Sequence, residues 1–124
     1  MSRLRKEIKL NMSGLRDDGQ ELTAQFSFSK EFSGFKGHFP DKPIFPGVCK
    51  VQAILCILEE ATRKKPRLKE IVSAKFFKPI TYNEEIVCKV RRVSESSEEA
   101  LVSTLITSRD KKIAEIKIKV VFEG

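Results

Sequence analysis

The residues of this chain best suited to do chemistry lie in one stretch, GFKGHFPDKPIFPGVCKVQAILCILEEA, residues 34–61. His38 is the single histidine in 124 residues. It stands in a loop rich in Gly, Pro and Phe, ahead of Pro43, Pro46 and Gly47, and an ordinary pKa of about 6.5 suits it to proton abstraction near neutrality. Gly47 opens an almost unbroken apolar run. At a helix start its backbone N–H, backed by the positive end of the helix dipole, would polarise a carbonyl oxygen. A base and an oxyanion donor together suit removal of a proton next to a carbonyl, although the same His can do no more than tie down a loop. Inside the apolar run one uncharged polar residue, Gln52, is the expected buried polar group of the helix. A buried amide must be hydrogen-bonded, so Gln52 implies either a wet pocket or a bond across a subunit seam.

The elements that must position these residues follow from hydrophobic patterning. Alternation predicts strands over 4–15 and 20–29, with RDDGQ as the hairpin turn between them. Residues 30–46 read as an irregular loop. From Val48 to Leu58 nearly every residue is apolar, which predicts a helix buried all round. Pro46-Gly47 marks its start, RKK its last turn, and Pro66 its stop. Four more β segments are predicted over 69–80, 84–94, 100–108 and 112–122, with ESSEE and RDKK as turns. The order β-β-helix-β-β-β-β predicts an α+β fold, one curved antiparallel sheet wrapped around one long central helix, as a single domain over 1–124. One helix covers one face of such a sheet and leaves two edges, so edge-to-edge homodimerisation is expected.

Composition excludes several classes. No run approaches the roughly 18 apolar residues of a membrane span, and the N-terminus lacks the apolar core of a signal peptide, so the chain reads as soluble and cytoplasmic. Three cysteines, no C-x-x-C pair and no second histidine give no zinc site. Cys49 and Cys56, seven apart on the predicted helix, are separated by about 10 Å, too far for a disulfide. Cys49 near the helix start has the location of an activated nucleophile, but its apolar neighbours favour packing. The net charge of +7 favours an acidic protein partner over nucleic acid, because the basic residues are scattered and not interleaved with aromatics; a merely solvated basic surface explains it as well.

The stretch GHFPDKPIFPGVCKVQA resembles the active-site signature of the bacterial 3-hydroxyacyl-[acyl-carrier-protein] dehydratases, which are hotdog-fold dimers. Their pattern runs Gly-His-Phe-Pro-Gly, a short gap with a Pro, then Pro-Gly-Val and an acid five residues after that Gly. Gly37, His38, Phe39, Pro40, Pro43, Pro46, Gly47 and Val48 match in order and spacing. The later AKFFKPI, residues 74–80, resembles the family's strand after the helix more loosely. The resemblance implies a hotdog fold, with His38 taking the α-proton of a 3-hydroxyacyl thioester and the Gly47 N–H binding the thioester carbonyl. The family's acid, supplied across the dimer interface to the departing hydroxyl, falls on Gln52. An amide orients a hydroxyl but donates no proton at neutral pH, and losing general-acid help costs about 10²–10⁴ in rate. Asp41 replaces the second Gly of the pattern and has a minor claim to reach the site; Glu59 and Glu60 lie about 10–12 Å further along the helix. Phe39, Ile44, Phe45, Val48 and Phe76 are candidates for lining an acyl tunnel, with core packing as the commoner fate of such side chains.

Three functions are consistent with these residues. The first is a dehydratase of 3-hydroxyacyl groups in fatty-acid or related lipid biosynthesis. Its partner would be acyl carrier protein or a coenzyme A thioester, and it would need no cofactor and no metal. The second is an acyl-thioester hydrolase on the same fold, which needs no proton for a 3-hydroxyl. The third is a non-catalytic acyl- or carrier-protein-binding subunit. A homodimer is expected, with assembly into a trimer of dimers left open. Gln52→Glu is expected to raise dehydration tenfold or more.

Overall fold

A computed structural model describes residues 3–35, 45–96 and 98–123. Six strands form one antiparallel sheet in the order β1-β2-β4-β5-β6-β3, comprising β1 (Met12–Asp17), β2 (Glu21–Phe26), β3 (Lys65–Phe76), β4 (Ile86–Glu95), β5 (Glu99–Ser108) and β6 (Lys111–Glu123). Period-2 alternation sets which side chains face inward. Ala100, Val102 and Ile106 of β5 and Ile116, Ile118 and Val120 of β6 are buried, while their neighbours reach solvent. The turns carry their own chemistry. Asp18 Oδ1 accepts from the Gln20 and Glu21 amides, and Gly19 takes φ 91 to close the β1–β2 hairpin. Arg109 and Asp110 both adopt left-handed backbone, φ 52 and 65, as a two-residue hairpin between β5 and β6 requires.

The curved sheet wraps helix α2 (Gly47–Thr62). Every residue from Cys49 to Leu58 except Gln52 is buried, as an all-round apolar helix must be. Pro46 is its N-cap, with extended backbone. Its end differs from the sequence expectation. Arg63 turns left-handed (φ 62) and its N–H bonds Glu59 O at 2.9 Å, so the chain leaves the helix there. Pro66 therefore does not stop the helix but sits second in β3, and RKK (63–65) follows the last turn instead of filling it.

The N-terminal segment is also corrected. Residues 3–10 form a helix, α1 (Arg3–Leu10), and only the last third of the expected first strand, 12–15, is β. Leu4, Ile8 and Leu10 fit a two-residue period, but Leu4 and Ile8 also fit one helical face, and Ile8 is fully buried while Leu10 is 85% exposed. The chain thus has two helices among the described residues. α1 lies on α2, fastened by Lys9–Glu60 (3.2 Å) and Arg5–Glu59 (3.8 Å) pairs. Glu7 on its other side accepts bonds from Ser33 N–H and Ser33 Oγ, tying α1 to the short 3-10 turn Ser33–Phe35. Among the described residues no helix is long and apolar enough to cross a membrane.

Candidate active site

The start of α2 is held by backbone bonding and by aromatic packing. The Phe45 N–H donates to Ile80 O at 2.7 Å, and the Phe77 N–H donates to Ile113 O at 2.8 Å. The segment after β3 therefore anchors the residues that lead into the helix, which gives AKFFKPI its purpose. Phe45 is fully buried and stacks on Phe28 at 4.6 Å between ring centroids, with Phe32 and Phe35 around it. This aromatic cluster packs Phe45, at the helix entry, into the core.

Gly47 begins the helix beneath the ring of Phe76. A Cβ at position 47 would stand 3.3 Å from Phe76 Cζ, so the glycine permits the ring to lie against the helix end. The first helical bonds run from the Cys49 and Lys50 amides to Pro46 O, at 3.0 and 3.3 Å. The Gly47 and Val48 amides are not used by the helix itself and remain as donors at its positive end. Phe76 is 54% exposed and Val48 60% exposed.

Gln52 points to a different side. It lies on the α2 face covered by α1, only partly buried, and Arg5 Nε donates to its Oε1 at 3.0 Å. Because arginine only donates, the amide oxygen must face Arg5, which leaves the NH₂ as the free end. Arg5 is shared: its Nη1 pairs with Glu59, and its carbonyl accepts from Cys56 Sγ.

The most buried polar side chain of the helix is instead Lys50, 4% exposed. Its Nζ meets Phe45 O at 3.5 Å and lies 4.8 Å from the centroid of the Phe76 ring. Burial lowers its pKa below the ordinary lysine value. Burial pushes the Cys49 thiol up to about 11, and Cys56 likewise, so both remain protonated packing groups.

Of the residues singled out in the sequence, Gly47 and Phe76 come together, Phe45 supports them from the core, Val48 faces outward and Gln52 turns to α1. His38, Phe39 and Ile44 lie outside the described residues, as does Asp41. Lys50 was missed. The available signal was its spacing, three residues after Gly47 and four before the buried Ile54, which puts it on the inward stripe of the helix.

Comparison with known proteins bears on the family and the fold. A family model described as ApeI-like, ApeI dehydratase, matches residues 14–117. A curated relative from Wolbachia sp. subsp. Drosophila simulans, the 3-hydroxyacyl-[acyl-carrier-protein] dehydratase FabZ, is 28% identical over 117 residues, covering 87% of this chain and 80% of its own. Among solved structures, the dehydratase heterocomplex ApeI:P of Xenorhabdus doucetiae superposes with a TM-score of 0.77 at 20% identity, covering 89% of this chain and 96% of that one. A hypothetical thioesterase with coenzyme A from Streptococcus pneumoniae gives 0.66 at 10% identity, covering 91% and 84%. These likenesses establish the hotdog fold.

Proposed function

Because the chain belongs to the ApeI-like dehydratase family, we propose that it removes water from 3-hydroxyacyl thioesters to give enoyl thioesters. The observation that carries this reading is the start of α2. Gly47 lies under the Phe76 ring with its amide unused by the helix, where the motif of residues 37–48 calls for a carbonyl-binding donor. His38 takes the α-proton, and the Gly47 N–H carries the charge that develops on the thioester oxygen. Gln52, on the face under α1 with its amide oxygen held by Arg5, gives up no proton. Phe76 and Val48, both exposed beside this helix end, contact the acyl group, together with Phe39 and Ile44, while Phe45 supports them from beneath.

The net charge of +7 suits an acidic carrier protein as the bearer of the thioester, with coenzyme A as the alternative carrier. The long exposed edge β3 is where two copies pair into a homodimer.

A second reading is favoured by one specific residue. Gln52 supplies no proton, and hydrolysis of an acyl thioester needs none for a 3-hydroxyl. One experiment separates the two: incubation with a 3-hydroxyacyl carrier thioester while following enoyl formation and free-thiol release together. Enoyl product is the expected outcome. Thiol release in its place would transfer the site to hydrolysis, and binding without either product would make the chain a non-catalytic subunit.

A further inference from the structure

We propose that Lys50 donates the proton that the departing 3-hydroxyl group needs. This rests on the dehydratase reading and answers the question that Gln52 raises. Lys50 and Gly47 lie three residues apart on one face of α2, and the ring of Phe76 touches both: its Cζ is 3.3 Å from where a Gly47 Cβ would stand, and the Lys50 Nζ is 4.8 Å from its centroid. A thioester carbonyl held at the Gly47 amide therefore has an ammonium on the same side of the helix. The 3-hydroxyl is only two carbons from that carbonyl.

The buried Lys50 ammonium has only the Phe76 ring and the Phe45 carbonyl against it. Among the described residues no carboxylate pairs with it, and its single hydrogen-bond acceptor is a carbonyl at the 3.5 Å limit. It also sits in the first turn of a helix, where the dipole disfavours a cation. An ammonium so placed has N–H donors to spare for a ligand's oxygen. The other polar groups of the helix are committed or unsuited. Gln52 faces α1 and does not ionise, while Glu59 and Glu60 pair with Arg5 and Lys9. The groups packed against the ammonium from β3 and from the helix entry are the uncharged Phe76 and Phe45, and Cys49 beside it is the one titratable group acting on it among the described residues.

The step balances. The α-proton passes to the base, its electron pair forms the double bond, and the bond from C3 to oxygen breaks as that oxygen takes a proton from Nζ and leaves as water. Lys50 is left as a neutral amine, the form that burial favours. It regains a proton through water from the protonated base before the next turnover.

The test compares wild type with Lys50→Met and Lys50→Arg in enoyl formation, thioester affinity, thermal unfolding and pH dependence. Wild type should turn over and lose rate as pH rises through the lysine's lowered pKa, because the acid must be protonated. Lys50→Met should fold with Tm at pH 7 no lower than wild type, bind thioester within threefold, and lose at least 100-fold in kcat. Lys50→Arg keeps the charge but gives up no proton, and should stay as slow. Lys50→Gln serves if the Met variant does not fold. A Met variant within threefold of wild-type kcat, or an Arg variant that restores the rate, would overturn the proposal and leave the dehydratase reading standing. A wild type that forms no enoyl product would overturn both.

Discussion

Gln52 and Lys50 show how one helix distributes polarity. The expectation from sequence was that Gln52, the uncharged polar residue in an apolar run, would be the buried one. It is Lys50 that is buried, because the 3.6-residue period carries position 50 to the face of Ile54 and Ile57 and position 52 to the face under α1. Arg5 also changes what a Gln52→Glu substitution would do. A carboxylate at 52 would meet the Arg5 guanidinium that now holds the amide oxygen at 3.0 Å. An adjacent arginine lowers a carboxyl pKa by about 1–3 units, which keeps it ionised and useless as an acid near neutrality. The single substitution is therefore expected to change the dehydration rate less than threefold. Combined with Arg5→Met it should still change the rate less than threefold, since position 52 faces α1 and Lys50 supplies the proton. Enoyl formation by the two variants side by side checks this, and a tenfold gain from the single change would show that Arg5 does not control position 52.

The elements explain why most of the fold could be read from residues and part could not. β5 and β6 alternate cleanly between apolar and polar, and the structure begins and ends them within one residue of the patterned segments. Pro46-Gly47 marks the start of α2 because proline can precede a helix without losing a needed N–H. Its end was misplaced because the left-handed Arg63, a residue with no special propensity for that backbone, ends it before Pro66 does. α1 was misread because RLRKEIKL satisfies both periods, and only its docking on α2 decides between them. That decision has a measurable consequence. In a strand Ile8 and Leu10 would face the same side, whereas in α1 Ile8 is fully buried and Leu10 is 85% exposed. Ile8→Ala should cost about 2–4 kcal/mol in urea unfolding, and Leu10→Ala under about 0.5 kcal/mol. Equal losses at the two positions would restore the strand. For the site, the motif pointed to Gly47 and Phe76, but no pattern along the chain discloses that the two lie within contact distance, because β3 and α2 meet only in three dimensions.

At the scale of the whole molecule, the two edges of the sheet are unequal. β1 is only six residues long, and so short an edge offers little to further pairing; register breaks occur on both edges, between Ser13 and Arg16 in β1 and around Lys69 and Val72 in β3. β3 is twelve residues long, bonded only to β6, and exposes Ile71 (50%) and Val72 (43%), with Phe77 beyond its end. A long edge with exposed apolar side chains templates strand addition. The occupant we propose is a second copy, always present at matching concentration, paired antiparallel about a two-fold axis. Such a dimer would also cover Phe76 at the end of β3, and so shield the helix end where Gly47 and Lys50 lie. Replacing Ile71 and Val72 together by Lys removes the exposed apolar side chains of that edge and adds two positive charges. Sedimentation velocity should show a dimer for wild type at micromolar concentration and a monomer for the double variant, with Leu10→Lys on the distant surface remaining dimeric. A double variant that still sediments as a dimer would move the interface off β3, and a monomeric wild type would remove the pairing altogether.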